Sequence, residues 1–136
     1  MAETLRLEIV TPQAIAISED VEMVTLPAVE GQIGVYPNHV RLMTQIVPGE
    51  VIVQKDGAER SLAIGEGLVD ISARRVAVIT DMAIAADQID EAMVEEARAR
   101  AAARLREKIS DEEVASVNAS LARSLAQLQV KRRRRV

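Results

Sequence analysis

The sequence predicts an α+β protein in which an N-terminal β-sandwich or flattened barrel is followed by a C-terminal antiparallel hairpin of two helices. Through residue 86, short apolar runs alternate with period 2 and are separated by turn residues, which is typical of an all-β domain. From Asp87 onward the chain has no Gly and no Pro, and alanine becomes the dominant residue. Strong helix formers at almost every position predict helices there. We therefore expect two domains, residues 1–86 and residues 87–136.

The first strand is predicted in LRLEIV, where Leu5, Leu7 and Ile9 alternate with polar residues and Thr11-Pro12 ends the run. Further short runs follow in VEMVTLP, QIGVYP, LMTQIV, EVIVQK, ERSLAI, GLVDIS and RVAVIT. Turn signals separate several of them, at Pro48-Gly49, Asp56-Gly57, Gly65 and Gly67. Asp56-Gly57 suits the left-handed backbone of a tight hairpin turn. Strands at such even spacing indicate a sandwich or flattened barrel.

The first helix is predicted in QIDEAMVEEARARAAARLREKI, residues 88–109. Apolar residues at helical spacing are expected to share one face, namely Ile89, Met93, Ala97, Leu105 and Ile109. Asp90 and Glu91 stand in the expected first turn, and Arg104, Arg106 and Lys108 stand in the last. This order of charge favours the helix dipole.

The second helix is predicted to begin with a capping box, with Ser110 as the N-cap and Glu113 at the third helical position. Its apolar residues are spaced by 3 and 4, at Val114, Val117, Leu121, Leu125 and Leu128. Such a stripe predicts an antiparallel hairpin with the first helix. Because the seam is rich in alanine, it buries little apolar area. We expect the hairpin to need a sheet or a partner beneath it, and to be able to move.

Composition excludes several classes of protein. The 136 residues include no Cys, Trp or Phe, so a disulfide framework and a thiolate metal site are excluded. No run approaches the roughly 18 apolar residues of a membrane span. The start MAETLRLEIV lacks the features of a signal peptide, so we expect a soluble, intracellular protein. Residues 1–86 carry a net charge of −6 and residues 87–136 a net charge of +2, which suggests two surfaces with different partners.

The stretch EGQIGVYPNHV, residues 30–40, contains the only tyrosine, Tyr36, and the only histidine, His39. An enzyme that uses His39 as a general base is one hypothesis, but no Cys or second His supports it, and zinc ligands are too few. EGQIG lacks the lysine and the spacing of a phosphate loop. We therefore predict no catalytic residue, cofactor or metal.

Nucleic-acid binding would rest on KRRRRV alone, beside an acidic domain with no aromatic platform, and is not expected. The chain is interpreted as a protein-binding module. A stand-alone adaptor remains an alternative at this point.

Three segments carry a family resemblance. They are LEIVTP, VTLPAVEGQIGVYPNHVRLMTQIVPGEVIV and GEGLVDISARRVAVITDMA, which resemble the β-domain of the epsilon subunit of F-type ATP synthase. IDEAMVEEARARAAARL and the second helix are similar to its helical hairpin. The resemblance covers essentially the whole chain. It implies a flattened ten-stranded β-sandwich and two helices.

The resemblance also implies a non-catalytic subunit of the central stalk, which couples ion translocation to ATP synthesis and restrains ATP hydrolysis. Its implied partners are the gamma subunit, the loops of the c ring and, through the C-terminal helices, the alpha and beta catalytic subunits. No insertion into the membrane is implied. The implied location is the cytoplasmic face of the bacterial inner membrane, as a peripheral part of the synthase.

By the same resemblance, Glu30, Gln32 and His39 are candidates for the contact with the c ring or gamma. Gln32 stands where the family often has Glu, which would weaken one charged contact. The basic residues of the arm are candidates for contact with acidic loops of the catalytic head, and they are Arg98, Arg100, Arg104, Arg106, Arg123 and Lys131 to Arg135. The alternative is that these charges only solvate a helix.

Some members of the family bind ATP through an [I/L]-D-x-x-R-A motif at the start of the first helix. Here Ile89 and Asp90 match this motif, but Met93 stands where the arginine is expected. A thioether can neither donate a hydrogen bond to phosphate nor oppose its charge. We predict weak ATP binding or none.

Overall fold

The computed structural model describes residues 3–133 and confirms a ten-stranded sandwich followed by two helices. The strands are β1 Leu5–Val10, β2 Ile15–Val21, β3 Met23–Ala28, β4 Gly31–Val35, β5 Leu42–Ile46, β6 Gly49–Lys55, β7 Ala58–Ile64, β8 Gly67–Ile71, β9 Arg75–Thr80 and β10 Ala83–Ala85. A short 3-10 helix, Ala86–Gln88, leads to α1 Glu91–Leu105 and α2 Asp111–Arg133. None of the helices formed by the described residues is both long and apolar enough to cross a bilayer.

The strands form two layers, with the order β2-β1-β9-β8-β5 in one and β4-β3-β6-β7-β10 in the other. The layers join where β3 meets β5 through the single residue pair Ala28 and Ile46. All strand pairs are antiparallel except β1 with β9. On another side of the sandwich, an ion pair between Arg60 of β7 and Glu19 of β2 connects the two layers.

The core lies between the two layers and contains only aliphatic side chains. Leu5, Leu7 and Ile9 of β1 are fully buried and Arg6 is exposed, which confirms the alternation read from the sequence. The other buried members are Val21, Val24, Leu26, Val35, Ile46, Val51, Val53, Leu62, Ile64, Val69, Ile71, Val76 and Val78. Burying each such side chain contributes about 1.5–3 kcal/mol, before the entropy of ordering the chain is subtracted.

The predicted hairpin at Asp56-Gly57 is confirmed. Lys55 of β6 pairs with Ala58 of β7 across a two-residue turn. Asp56 and Gly57 have φ values of 54° and 76°, the left-handed conformation that this type of turn requires.

Helix α2 lies on the outer face of the β6–β7 layer, so the hairpin rests on the sheet, which is one of the two arrangements, sheet or partner, that the sequence left open. Strand β7 is covered on both sides, because Leu62 and Ile64 face the core while Ala63 contacts the hairpin. Ala63 and Ile89 form a second buried cluster with Val130 of α2. A small residue at position 63 allows the helix to approach the sheet closely.

The predicted first helix was too long at both ends. Asp90 is the N-cap of α1, and Ile89 before it has an extended backbone with φ −82° and ψ 122°. At the other end the Arg106 N–H bonds to the carbonyls of Ala103 and Arg104, which tightens the last turn and ends the helix at Leu105. Arg106 and Lys108 therefore lie outside α1.

The predicted apolar faces were wrong at Met93 of α1 and Leu125 of α2. Met93 is 66% exposed and Leu125 is 50% exposed. Because Ile89 lies outside the helix, the stripe does not continue from it to Met93, and Val94 contacts the second cluster instead. In α2 the buried positions follow the sheet rather than a heptad seam, and Leu128 is one of them.

Candidate partner-binding surfaces

Glu30 lies in the β3–β4 turn at one end of the sandwich, and Gln32 is the second residue of β4, next to this turn. Val29 and Glu30 form the turn between the paired residues Ala28 and Gly31. Gly31 has a φ of 128°, a conformation that disfavours any residue with a Cβ. Both predicted side chains are exposed and form no hydrogen bond or ion pair with residues 3–133. The turn can therefore offer one carboxylate and one amide to a partner.

His39 lies away from this turn, beyond the opposite end of β4. Strand β4 separates them by five residues, a length of about 16 Å. The loop that carries His39 is fixed by Asn38, whose N–H donates to Ala73 O at 2.7 Å and whose side chain donates to Glu3 at 3.0 Å. His39 Nδ1 lies 2.6 Å from Val40 O and must donate to it. The three predicted contact residues do not form one site.

An exposed apolar strip that the sequence analysis missed crosses the outer face of the β2-β1-β9-β8-β5 layer. Leu68 of β8 is opposite Ile79 of β9, Ile79 is opposite Val10 of β1, and Val10 is opposite Ile15 of β2. Leu68, Ile79 and Ile15 are 51%, 65% and 67% exposed. A contiguous apolar surface on a folded protein marks an interaction site. Met43, 67% exposed on β5, extends the same face.

A row of cross-strand ion pairs lies next to this strip. Arg75 of β9 donates to Glu8 of β1 at 2.9 Å, and this hydrogen bond lowers the pKa of Glu8 and raises the pKa of Arg75. Arg6 of β1 contacts Ser18 at 2.9 Å and Asp20 at 3.4 Å on β2. The layer thus presents an apolar strip beside charges that already have partners, a surface suited to burial by another protein.

Most of the predicted basic residues of the arm are engaged inside the chain. Arg98 pairs with Glu95, and Arg104 pairs with Glu107 and, at 2.6 Å, with Glu113. The Glu113 hydrogen bond is the largest cause of the raised pKa of Arg104. These pairs stabilise α1 and its junction with α2.

The remaining basic residues differ in their contacts. Arg123 contacts Asp81 at 3.2 Å, between α2 and the sandwich. Arg100 and Arg106 are exposed and have no ion pair within residues 3–133. Arg134 and Arg135 lie outside the described residues. Among the predicted arm residues that the structure describes, only Arg100 and Arg106 can therefore meet a partner without breaking an internal contact.

The first turn of α1 shows what the retained aspartate of the nucleotide motif does. Asp90 Oδ1 accepts a hydrogen bond from Met93 N at 3.2 Å, so the carboxylate caps the helix. No group of three or more His, Asp or Glu residues within 3–133 is arranged to hold a metal ion.

Comparison with known proteins gives two family matches, one over the β-sandwich and one over the two helices. Residues 4–86 match the family described as "ATP synthase, Delta/Epsilon chain, beta-sandwich domain", and residues 87–132 match "ATP synthase, Delta/Epsilon chain, long alpha-helix domain". The ATP synthase epsilon chain of Herpetosiphon aurantiacus is 39% identical over 131 residues, which cover 96% of each chain. That of Alkalilimnicola ehrlichii is 38% identical, over 97% of this chain and 95% of the relative.

A chain in the cryo-EM structure of the mitochondrial ATP synthase of Euglena gracilis, described as OSCP/F1/c-ring, has a similar fold. Its TM-score is 0.77 at 20% identity, and the match covers 93% of this chain and 79% of that one.

Proposed function

The chain belongs to the delta/epsilon family of ATP synthase, and from this we infer that it is the non-catalytic epsilon subunit in the central stalk of a bacterial F-type enzyme. In that position it turns with the rotor and helps to couple ion translocation to ATP synthesis. The observation that carries the proposal is the match to ATP synthase epsilon chains over 96% of both chains, sandwich and helices together. A stand-alone adaptor would not need both parts in this order.

The gamma subunit is the proposed partner of the apolar strip Leu68, Ile79, Val10 and Ile15. The sandwich has two outer faces, and α2 covers only the one formed by β6 and β7. The other face leaves large apolar side chains more than half exposed. Burial of such residues at a well-packed interface supplies most of the binding free energy. Tyr36 and Val40, 61% and 76% exposed beside His39, are proposed to extend this contact.

The c ring is the proposed partner of the β3–β4 turn. Glu30 and Gln32 project from a sharp turn whose backbone is fixed by pairing with β3, so little conformational entropy is lost on docking. His39, at the other end of β4, is assigned to the gamma contact instead. A turn at one end and an apolar face at the side would allow the sandwich to contact both rotor components at once.

The two-helix arm is proposed to restrain ATP hydrolysis by reaching the alpha and beta catalytic subunits when it leaves the sandwich. Helix α2 has 23 residues and is therefore about 35 Å long. The subunit would work at the cytoplasmic face of the bacterial inner membrane, held there by its partners.

Co-purification with the gamma subunit tests the assignment. We expect a stable complex at a one-to-one ratio, and its absence would favour an adaptor with another partner. Leu68→Asp places a charge in the strip and should weaken binding by roughly 30-fold or more. Leu125→Asp is a matched control, because Leu125 of α2 is 50% exposed and Leu68 is 51% exposed. Equal loss in both variants would contradict the assignment of the strip.

A further inference from the structure

The far end of α2 holds the arm on the sandwich. The buried residues of α2 all lie in its second half, and they are Ser124, Ala126, Leu128 and Val130. Val130 is fully buried against Ala63 of β7 and Ile89. The first half of α2, residues 111–123, contains no buried residue. Release of the arm therefore requires that the second half of α2 leave the sheet.

Three consecutive cations at this end bind three different parts of the molecule. Arg133 Nε and Nη2 contact the two carboxylate oxygens of Glu50 on β6, at 2.5 and 2.9 Å. Arg132 contacts Glu91 and Glu95 of α1, each at 3.0 Å. Lys131 Nζ donates to the carbonyl of Ala86, at the junction between the domains, at 3.4 Å.

The contact between Arg133 and Glu50 is the strongest of the three. It is bidentate, and although Arg133 is 44% exposed, its partner Glu50 is only 10% exposed, against 27% and 40% for the two partners of Arg132, so solvent screens it less. The same hydrogen bond is the largest cause of the raised pKa of Arg133. Arg132 is 54% exposed, and its pairs contribute less because water and salt screen them.

We propose that Arg132 and Arg133 form a charge latch, in which carboxylates of the chain itself compete with an acidic partner for the same two cations. The proposal rests on the proposed function, since it takes the arm on the sandwich as the state that permits hydrolysis. Glu50, Glu91 and Glu95 occupy the cations while the arm is docked. An acidic loop of the catalytic head can bind them only after these contacts break. Glu50, a residue outside the arm, therefore shifts the ratio of docked to released arm.

Thiol labelling of the full-length chain measures this equilibrium. The chain has no cysteine, so Ala63→Cys introduces a single thiol beneath α2, which a disulfide reagent reaches only when the arm is released. In this background we expect Glu50→Gln to raise the labelling rate about tenfold or more, from the loss of charge-assisted hydrogen bonds. Glu66→Gln removes the same charge from an exposed sandwich turn and should leave the rate unchanged.

Exchanging the charges at positions 50 and 133 distinguishes the loss of this ion pair from general damage to the structure. Glu50→Lys should raise the labelling rate, and adding Arg133→Glu to the same chain should bring it back toward the original value. An unchanged rate in Glu50→Gln, or failure of the exchange to restore protection, would overturn the latch.

Reassembly of the Glu50→Gln chain into the ATP synthase separates the latch from the brake. If both are correct, hydrolysis falls below that of the unsubstituted complex, because more arms are released. If labelling rises in the isolated chain while hydrolysis is unchanged, the latch stands and the proposed brake fails. If labelling is unchanged, the latch fails whatever the complex does.

Discussion

At the scale of single residues, glycine is required where two strands approach each other too closely for any side chain. A Cβ on Gly67 would lie 1.9 Å from the backbone oxygen of Ile79, and neither backbone can move without breaking the β8–β9 pairing. We expect Gly67→Ala to reduce the free energy of unfolding by roughly 3 kcal/mol or to prevent folding.

Gly34→Ala is the matched control for this substitution. Its Cβ would meet only the terminal methyl of Met23, at 2.9 Å, and that flexible side chain can move away. We expect a change within about 1 kcal/mol. Urea unfolding of both variants measures the difference in the free energy of unfolding. Equal losses in the two variants would show that the close approach of β8 to β9 does not exclude a side chain at position 67.

Met93 defines a second prediction at this scale. Because Asp90 already caps α1 and the arginine of the nucleotide motif is absent, titration calorimetry should show no ATP binding tighter than about 1 mM. Tighter binding would contradict this prediction.

Asp90→Ala removes the N-cap of α1 and should destabilise the arm by about 1 kcal/mol, which would be measured as faster hydrogen exchange in α1.

Single-residue patterns predicted the inward side chains well and the outward ones poorly. The alternation of Leu5, Leu7 and Ile9 gave a buried face that the structure confirms. Leu68 and Ile79 are apolar at positions that face outward. The pattern within one strand does not show that the neighbouring strand places another apolar side chain directly beside it. Similarly, His39 is near Glu30 in sequence, but an extended strand separates them.

At the scale of elements, the sandwich should fold without the arm. All the buried residues of its core belong to the β-strands, whereas α1 has no buried residue. We expect residues 1–86 to give a dispersed NMR spectrum and a lower melting temperature than the full chain, because Ala63 loses its cover. An unfolded fragment would contradict the division of the chain into two domains.

The contact between the helices should depend on pH through Glu95. Hydrogen bonds from Arg98 and then Arg132 hold the pKa of Glu95 below its ordinary value of 4.5. A lowered pKa stabilises the folded arm above pH 4.5, and that contribution is lost as the pH falls through the lowered value. Hydrogen exchange should therefore accelerate in acid within α1, through the Arg98 contact, and at the end of α2, through the Arg132 contact.

Glu95→Gln should remove that contribution at neutral pH and reduce the acid response. Glu96→Gln, at an exposed neighbour with no ion pair to residues 3–133, should leave the response as it was. If both variants respond to acid like the original chain, the Glu95 pairs do not hold the helices together.

The helical pattern predicted a hairpin but not the face that docks. The sequence suggested a seam through Leu125, whereas the structure buries Ser124, Ala126, Leu128 and Val130 against the rest of the molecule. A helix stripe has the same spacing whether its partner is a helix or a sheet. The choice depends on β7, whose outward residue at position 63 is small enough for α2 to approach.

At the scale of the whole molecule, the two outer faces of the sandwich have different roles. One is covered by the arm of the chain itself, and the other keeps its apolar strip exposed. The opposite net charges of the two parts of the chain also attract each other within the molecule. The ion pairs Arg133–Glu50 and Arg123–Asp81 join the basic arm to the acidic sandwich. Arg123 and Arg133 would be available to an acidic partner only after these internal contacts break.

We propose that the chain is a stalk subunit whose arm restrains ATP hydrolysis. The most direct test deletes residues from Ser110 onward and measures ATP hydrolysis by the reassembled complex at low and moderate salt. Assembly should survive, because the sandwich and its apolar strip remain intact, and hydrolysis should rise. At moderate salt the full-length complex should move toward the same rate, since exposed charges are screened within about 8 Å. Unchanged hydrolysis after the deletion, at both salt concentrations, would contradict the account.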